Sequence, residues 1–145
     1  MTATLKYLLV ALVLVKSTTI QAQTTVDTLT DLLPYLEQDD VDVTLKKGTY
    51  TISANDIRDG TFRATTTIDD HKALVLLLFS GNRSTYNFTG VTINVRTEVF
   101  TTYEKYNEFY EIQVTGNNNV IKNLTLKDVG TVHDYPTRRA CNIVM

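Results

Sequence analysis

Four polar side chains that could act on an anionic group lie close together near the end of the sequence: His133, Asp134, Arg138 and Arg139. An imidazole can transfer protons near neutral pH, and a pair of arginines can bind a carboxylate in a fork geometry. His133, Arg138 and Arg139 are therefore candidate catalytic residues. The alternative, a solvated loop with surface arginines, is the more common meaning of such a run.

Aromatic side chains are concentrated in a second segment, which contains Tyr103, Tyr106, Phe109 and Tyr110. Flat aromatic faces suit the apolar faces of sugar rings, so Tyr103, Tyr106 and Tyr110 are candidate ligand-binding residues. The alternative is that these side chains pack a loop over the core, which is the commoner role of aromatic residues.

The framework for these candidates is a repeated unit. The stretch Ile112–Gly130 has two alternating apolar runs around the polar corner Gly116–Asn119, which predicts strand, tight turn and strand. Residues Leu76–Val95 form a similar unit, with its corner glycine 35 positions earlier. The alignment matches Gly81 with Gly116, Tyr86 with Ile121, and Ile93 with Leu126. A period of this size is typical of a β-solenoid.

The corner residues favour a structural role over a chemical one. Asn82 and the run Asn117–Asn119 occupy matching corners. Asparagine tolerates left-handed backbone conformations, and stacked asparagines can form hydrogen-bonded ladders. We expect such a ladder at these corners.

The pattern φ-x-φ-x-G-N-N-N-x-I-x-N-L-x-φ, where φ is apolar, is carried here by residues 112–126. It resembles the right-handed parallel β-helix of pectate-lyase-like proteins, and residues 43–52 are similar to the coil that commonly opens such domains. The resemblance covers residues 41–145. It implies an all-β fold of about three coils and a polysaccharide ligand.

The resemblance also implies activity on glycans. β-Helix polysaccharide lyases abstract a proton next to a uronate carboxylate, and they use Ca²⁺ or Lys and Arg side chains to stabilise the developing charge. Carboxylates repeated at the coil period would indicate Ca²⁺, but Asp128 aligns with Val95. We therefore predict no metal site in this sequence, although the resemblance allows Ca²⁺ in a longer protein. Noncatalytic carbohydrate-binding or adhesin-like solenoids are the alternative function, and a purely structural spacer is a third interpretation of the same coils.

The N-terminal residues 1–22 predict a secretory signal peptide. Lys6 precedes the apolar run Tyr7–Val15, and Ile20-Gln21-Ala22 offers a small-residue cleavage site. The run is too short to span a bilayer, so we expect a secreted or periplasmic product without a transmembrane segment. Loss of two lysines takes the charge from −2 to −4, and nothing in this balance indicates a nucleic-acid ligand.

The remaining segments complete the predicted domain. Residues 23–40 are expected to form a helical cap, with Asp31 as the N-cap and Pro34 in the first turn. Residues 41–145 are expected to form the coils, and Ser53–Lys72 to form a long loop between them. The final run, Cys141–Met145, alternates like Tyr110–Val114, which places Ile143 at the position of Ile112. Because this apolar run has no polar cap, we expect the β-helix to be incomplete at residue 145. The alternative is a small complete solenoid whose end is covered by a partner subunit.

Overall fold

The computed structural model describes residues 22–62, 64–68, 71–102, 108–131 and 140–144. The predicted signal peptide, apart from Ala22, lies outside these residues. The described chain consists mainly of β-strands, with two short α-helices and two 3-10 segments. The prediction of an all-β fold is therefore confirmed.

Eleven strands are present in the described residues. They are β1 (Gln23–Val26), β2 (Asp42–Leu45), β3 (Gly48–Ile52), β4 (Ala64–Ile68), β5 (His71–Phe79), β6 (Thr85–Asn87), β7 (Val91–Arg96), β8 (Glu108–Val114), β9 (Val120–Lys122), β10 (Leu126–Val129) and β11 (Ala140–Val144). The helices are α1 (Leu29–Leu32) and α2 (Ala54–Arg58), and the 3-10 segments are Leu33–Tyr35 and Thr97–Thr101.

The strands form three sheets, which the chain enters in a fixed order. The first sheet contains β1, β2, β6 and β9, the second contains β3, β7 and β10, and the third contains β4, β5, β8 and β11. From β2 onward the chain passes through the first, second and third sheets three times. We call these passages the first layer (β2, β3, β5), the second layer (β6, β7, β8) and the third layer (β9, β10, β11). Strands of successive layers are parallel, whereas β4 is antiparallel to β5.

The register between layers agrees with the alignment of the repeated units. Every match that the alignment makes between strands is observed: Tyr86 pairs with Ile121, Ile93 with Leu126, and Ile112 with Ile143. Five residues separate Tyr86 and Ile121 from their corner glycines, and a two-residue insertion, Thr89-Gly90, lies between β6 and β7 without changing the pairing that follows. Asp128 pairs with Val95, as the alignment requires.

Inward columns of apolar side chains form the core. In the second sheet, Ile52 and Val95 are paired and fully buried. They alternate with polar residues because successive side chains in a strand point to opposite faces. At the centre, the ring of Phe79 meets the ring of Tyr86 edge to face at 5.0 Å and that of Phe88 at 6.4 Å. Such T-shaped pairs contribute beyond the area they bury.

The alternation of side chains changes phase within β8. Phe109 and Ile112 both belong to the main core although they are three residues apart, whereas Tyr110 belongs to a smaller cluster. The pairing of β8 with β5 passes over Glu111 and its neighbour Leu76. Side chains before and after Glu111 therefore follow different phases, which the simple alternation read from the sequence did not predict.

The segment before β2 begins with a strand and continues as a helix. β1 pairs with β2 in the first sheet, and α1 follows it. The prediction that Asp31 caps the helix was wrong, because the hydroxyl of Thr28 accepts a hydrogen bond from the Asp31 amide at 3.1 Å. Pro34 then lies at the start of the 3-10 segment, where its missing N–H removes no helical hydrogen bond. Leu29, Leu32 and Leu36 of this segment are buried, and Leu33 is partly buried against the same core.

The prediction of a structureless loop from Ser53 to Lys72 was also wrong. Ser53 begins α2 through a capping box with Asp56, in which the Ser53 amide donates to the Asp56 carboxylate at 2.7 Å. β4 then pairs with β5 along five residues. The helix shields part of the core, since Ile57 is buried.

The corners between the third and first sheets hold the layers close together. A Cβ atom at Gly116 would overlap the carbonyl oxygen of Gly81, and a Cβ atom at Gly81 would overlap that of Gln38. Left-handed residues follow at matching positions in the three layers, Asp40 (φ 55°), Arg83 (φ 56°) and Asn118 (φ 58°). The corners thus need glycine for close approach and a left-handed residue for the turn.

Candidate functional site

Most of the sequence-predicted site residues lie outside the described part of the chain. This holds for the candidate catalytic residues His133, Arg138 and Arg139 and for the candidate ligand-binding residues Tyr103 and Tyr106. Their roles stay predictions.

Tyr110 is the candidate ligand-binding residue that the structure describes. It lies on β8, is 6% exposed, and packs in a small cluster with Ala73 and Val75. No more than an edge of its ring is accessible, so in this arrangement the ring face is not open for stacking on a sugar.

A pair of carboxyl groups that the sequence reasoning missed lies where β8 approaches β10. Glu111 is 1% exposed, and its side chain is close enough to that of Asp128 for a hydrogen bond. Asp128 occupies the column of Ile52 and Val95, so both carboxyl groups point toward the interior. Asp128 is nevertheless exposed, because β10 is the last described strand of its sheet.

The hydrogen bonding of Glu111 requires a proton on the pair. Neither carboxyl oxygen of Glu111 receives a hydrogen bond from an N–H or hydroxyl donor of the described residues. Two ionised carboxylates cannot bond to each other, whereas a protonated carboxyl can donate to an ionised one. The contact with Asp128 therefore forms when Glu111 carries the proton.

Burial and the neighbouring carboxyl group act on Glu111 in the same direction. Loss of solvation, followed by the hydrogen bond to Asp128 and its negative charge, raises the pKa of Glu111 to about 8. Burial disfavours the charged form of an acid, and a nearby like charge disfavours it further. Glu111 is consequently held neutral under conditions where an exposed glutamate is ionised.

One carboxyl held protonated beside another is an arrangement that enzymes use for acid–base chemistry. Catalysis also requires that the acid come within hydrogen-bond reach of a substrate atom. Because Glu111 is 1% exposed, a substrate does not reach it in this structure. We therefore expect the pair to affect the stability of the stacked layers rather than to act on a substrate.

A second polar group, the amide corner, connects the three layers at Asp39, Asn82 and Asn117. The Asn82 side chain donates to the Asp39 carboxylate at 2.9 Å and accepts from the Asn117 amide at 2.9 Å. The expected asparagine ladder is therefore present, with aspartate in the first layer. Hydrogen bonds from Asn82 hold the pKa of Asp39 below its usual value.

The guanidinium of Arg83 is already engaged at this corner. It donates to both carboxylate oxygens of Asp40, at 2.7 and 2.6 Å, and this pairing lowers the pKa of Asp40. A bidentate pair of this kind has little capacity left for a carboxylate ligand. The amide corner is accordingly a structural feature.

Two further findings bear on ligands and membranes. Within the described ranges, no three or more His, Cys, Asp or Glu side chains gather as a metal ion would require. Nor does any helix in those ranges have the length and apolar character needed to cross a bilayer.

No protein-family model and no curated protein matches the chain.

Proposed function

We propose that the chain forms a right-handed parallel β-helix of about three coils and belongs to a secreted carbohydrate-active protein, a polysaccharide lyase that acts on acidic glycans. The observation that carries the proposal is the cyclic passage through three sheets with parallel strands in matched register. Parallel crossover connections are overwhelmingly right-handed, which supports the handedness.

Support for the activity comes from the family resemblance of residues 112–126 and from the segment that contains His133, Arg138 and Arg139. In this proposal the arginines bind the uronate carboxylate and stabilise the charge that develops on it. His133 removes the neighbouring proton, since its ordinary pKa lies close to neutral.

A noncatalytic, glycan-binding role is the second candidate. It is favoured by the burial of Glu111, because this described carboxyl group with a raised pKa is closed to substrate. Fold alone does not separate these functions, since one architecture hosts catalytic and noncatalytic proteins.

The deciding experiment incubates the exported protein with polygalacturonate, alginate and a glycosaminoglycan, and follows the ultraviolet absorbance of the unsaturated product. The lyase proposal predicts product from at least one polymer. The double variant Arg138→Gln/Arg139→Gln should then lose activity by about a hundredfold or more, whereas Arg58→Gln/Lys72→Gln, with the same change of charge, should retain it.

Binding of a glycan without product would favour the noncatalytic candidate. Product formed at equal rates by both double variants would contradict the assignment of the arginines. A far-ultraviolet circular dichroism spectrum dominated by helix would contradict the β-helix.

Export is tested separately with the full chain. Mass analysis of the exported protein should show the loss of residues 1–22. Retention of the uncleaved chain inside the cell would contradict secretion.

A further inference from the structure

Lysines concentrate at the corners that connect the first sheet to the second and just beyond them. Lys46 and Lys47 lie between β2 and β3, Lys122 ends β9, and Lys127 lies in β10, level with Thr51 of β3. All four are exposed. The sequence separates these two groups widely, and the stacking of the layers brings them to one edge of the molecule.

Three of the four charges have no acidic partner in the described structure. The ammonium group of Lys46 pairs with the Asp27 carboxylate at 2.9 Å. Lys47, Lys122 and Lys127 take part in none of the salt bridges formed among the described residues. We call these three lysines the basic corner.

Acidic residues collect at the opposite end of the first sheet. Asp39 and Asp40 lie in the corner that precedes β2, beside Arg83. The three lysines are thus distant from this acidic pair, although Asp128 directly follows Lys127 in the sequence and residues 23–145 carry a net charge of 12 − 16 = −4. A positive edge on an acidic protein attracts anions locally.

Hydrogen-bonding side chains extend from the basic corner on both sheets. In the first sheet, Thr44, Asn87 and Lys122 form one outward column through the three layers. The second sheet has the same succession of residue types, Thr51, Asn94 and Lys127. Hydroxyl and amide groups can both donate to and accept from the hydroxyl groups of a sugar.

The cations are spaced along the stacking direction. Lys47 lies in the first layer, and Lys122 and Lys127 lie in the third. With neighbouring strands about 4.8 Å apart, two steps separate these levels by roughly 10 Å. A ligand that contacts both levels must itself be extended and must repeat its charge.

We propose that the basic corner and the two flanking polar columns bind an anionic polysaccharide that lies along the stack of layers. Extended shape, repeated negative charge and many hydroxyl groups are the properties that this surface complements. The choice of a polysaccharide over other polyanions rests on the proposed function, whereas the location rests on the charges and the register.

Other polyanions fit the surface less well. Binding of single-stranded nucleic acid commonly uses aromatic side chains on which bases stack, and the two columns consist of Thr, Asn and Lys. Peripheral binding to a membrane uses large apolar residues. The described structure exposes one such residue, Val120, two positions before Lys122, and a single valine does not form an apolar surface.

The test compares two double variants with the same change of charge. Lys122→Gln/Lys127→Gln removes half of the lysines at these corners, and Arg58→Gln/Lys72→Gln removes two exposed cations elsewhere. Binding to polygalacturonate is measured by titration calorimetry at low and moderate salt, with dextran, heparin and duplex DNA as comparison polymers.

We expect Lys122→Gln/Lys127→Gln to weaken polygalacturonate binding roughly fivefold, since exposed ion pairs contribute modestly, while the control stays within about twofold of wild type. Added salt should reduce this difference because it screens exposed charges. Circular dichroism spectra that match wild type would show that the variants are folded.

Binding of the comparison polymers decides which class of ligand the basic corner prefers. Preferential binding of heparin with the same sensitivity to the variants supports the basic corner and assigns it to sulfated glycans. Equal binding of duplex DNA, equal effects of the two variants, or no binding to either anionic polysaccharide would overturn the inference. Binding with the expected sensitivity but without unsaturated product would refute the lyase proposal alone.

Discussion

The buried carboxyl group of Glu111 on β8 lies within hydrogen-bonding reach of the carboxyl group of Asp128 on β10. These strands belong to different sheets and to successive layers, so the contact joins the second layer to the third. Because the contact requires a proton, its strength depends on pH. The stability of the third layer is therefore linked to the protonation of one residue.

Glu111 should make the protein less stable as pH rises. Its pKa is raised from 4.5 to about 8 in the folded protein. Between these values the unfolded chain releases the proton while the folded chain keeps it, so the free energy of unfolding falls with rising pH. The slope due to this group is at most roughly 1.4 kcal/mol per pH unit. Urea denaturation of wild type and Glu111→Gln across this window should show a flatter curve for the variant.

Glu98→Gln serves as the control, because the pKa of Glu98 is shifted in the opposite direction from that of Glu111. Its own backbone amide and Arg96 hold the pKa of Glu98 below 4.5, so its contribution is present above that value and is lost as pH falls. The Glu98→Gln curve should parallel wild type between pH 4.5 and 8. Curves for Glu111→Gln that also parallel wild type would refute the role assigned to Glu111.

Asp128→Asn should move the titration of Glu111 without restoring it to 4.5. The substitution removes the negative charge, and the new amide can donate a hydrogen bond to ionised Glu111, whereas burial remains. Carbon-13 NMR of labelled glutamate carboxyl groups would give the midpoint directly. A midpoint unchanged from wild type would mean that Asp128 does not contribute, and a midpoint at 4.5 would mean that burial does not.

Gly116→Ala should destabilise the protein by about 2 kcal/mol or more. The added Cβ would overlap the carbonyl oxygen of Gly81, and backbone atoms cannot yield as a flexible side chain can. Gly48→Ala is the matched control, since its Cβ would meet the Tyr50 ring at an ordinary 3.7 Å. Thermal unfolding should show a large loss for the first variant only. Equal stability of the two would contradict the close approach of the corners.

Asn82→Ala should cost about 1–2 kcal/mol. The substitution removes the central member of the amide corner, which donates to Asp39 and accepts from the Asn117 amide. Each hydrogen bond contributes about 1 kcal/mol net. Asn94→Ala, at a position whose side chain forms no hydrogen bond within the described structure, should change stability by less than about 0.5 kcal/mol. Comparable losses in both variants would exclude the ladder as the cause.

The alignment of repeated units correctly predicted which strands pair and in what register. The reason is local: Tyr86 and Ile121 each lie five residues after their corner glycine, and the two extra residues before β7, Thr89 and Gly90, fall in the turn, so parallel stacking leaves one register. The left-handed asparagine of the third-layer corner and the ladder through Asn82 followed from the same alignment. These features depend on spacing and residue type, which a sequence contains.

Local signals for the starts of the two helices were interpreted incorrectly. Thr28 and Asp31 are both good N-cap residues, and the choice of Thr28 depends on where β1 delivers the chain to α1. The capping box of Ser53 and Asp56 is visible in the sequence and could have predicted α2. A local signal was also available for β4, because its run of threonines and an isoleucine favours a strand and its partner β5 follows closely in the sequence.

The interior position of Glu111 and the composition of the basic corner were decided by the tertiary structure. A change of phase at Glu111 turns a residue that reads as polar and outward into a buried acid, and strict alternation cannot predict it. Lys47 and Lys127 are eighty positions apart in the sequence. They lie on the same side of the molecule because the chain returns to that side in each layer. The sequence by itself determined the repeat, since spacing is a local property. The tertiary structure decided which charges meet, since proximity depends on how the layers stack.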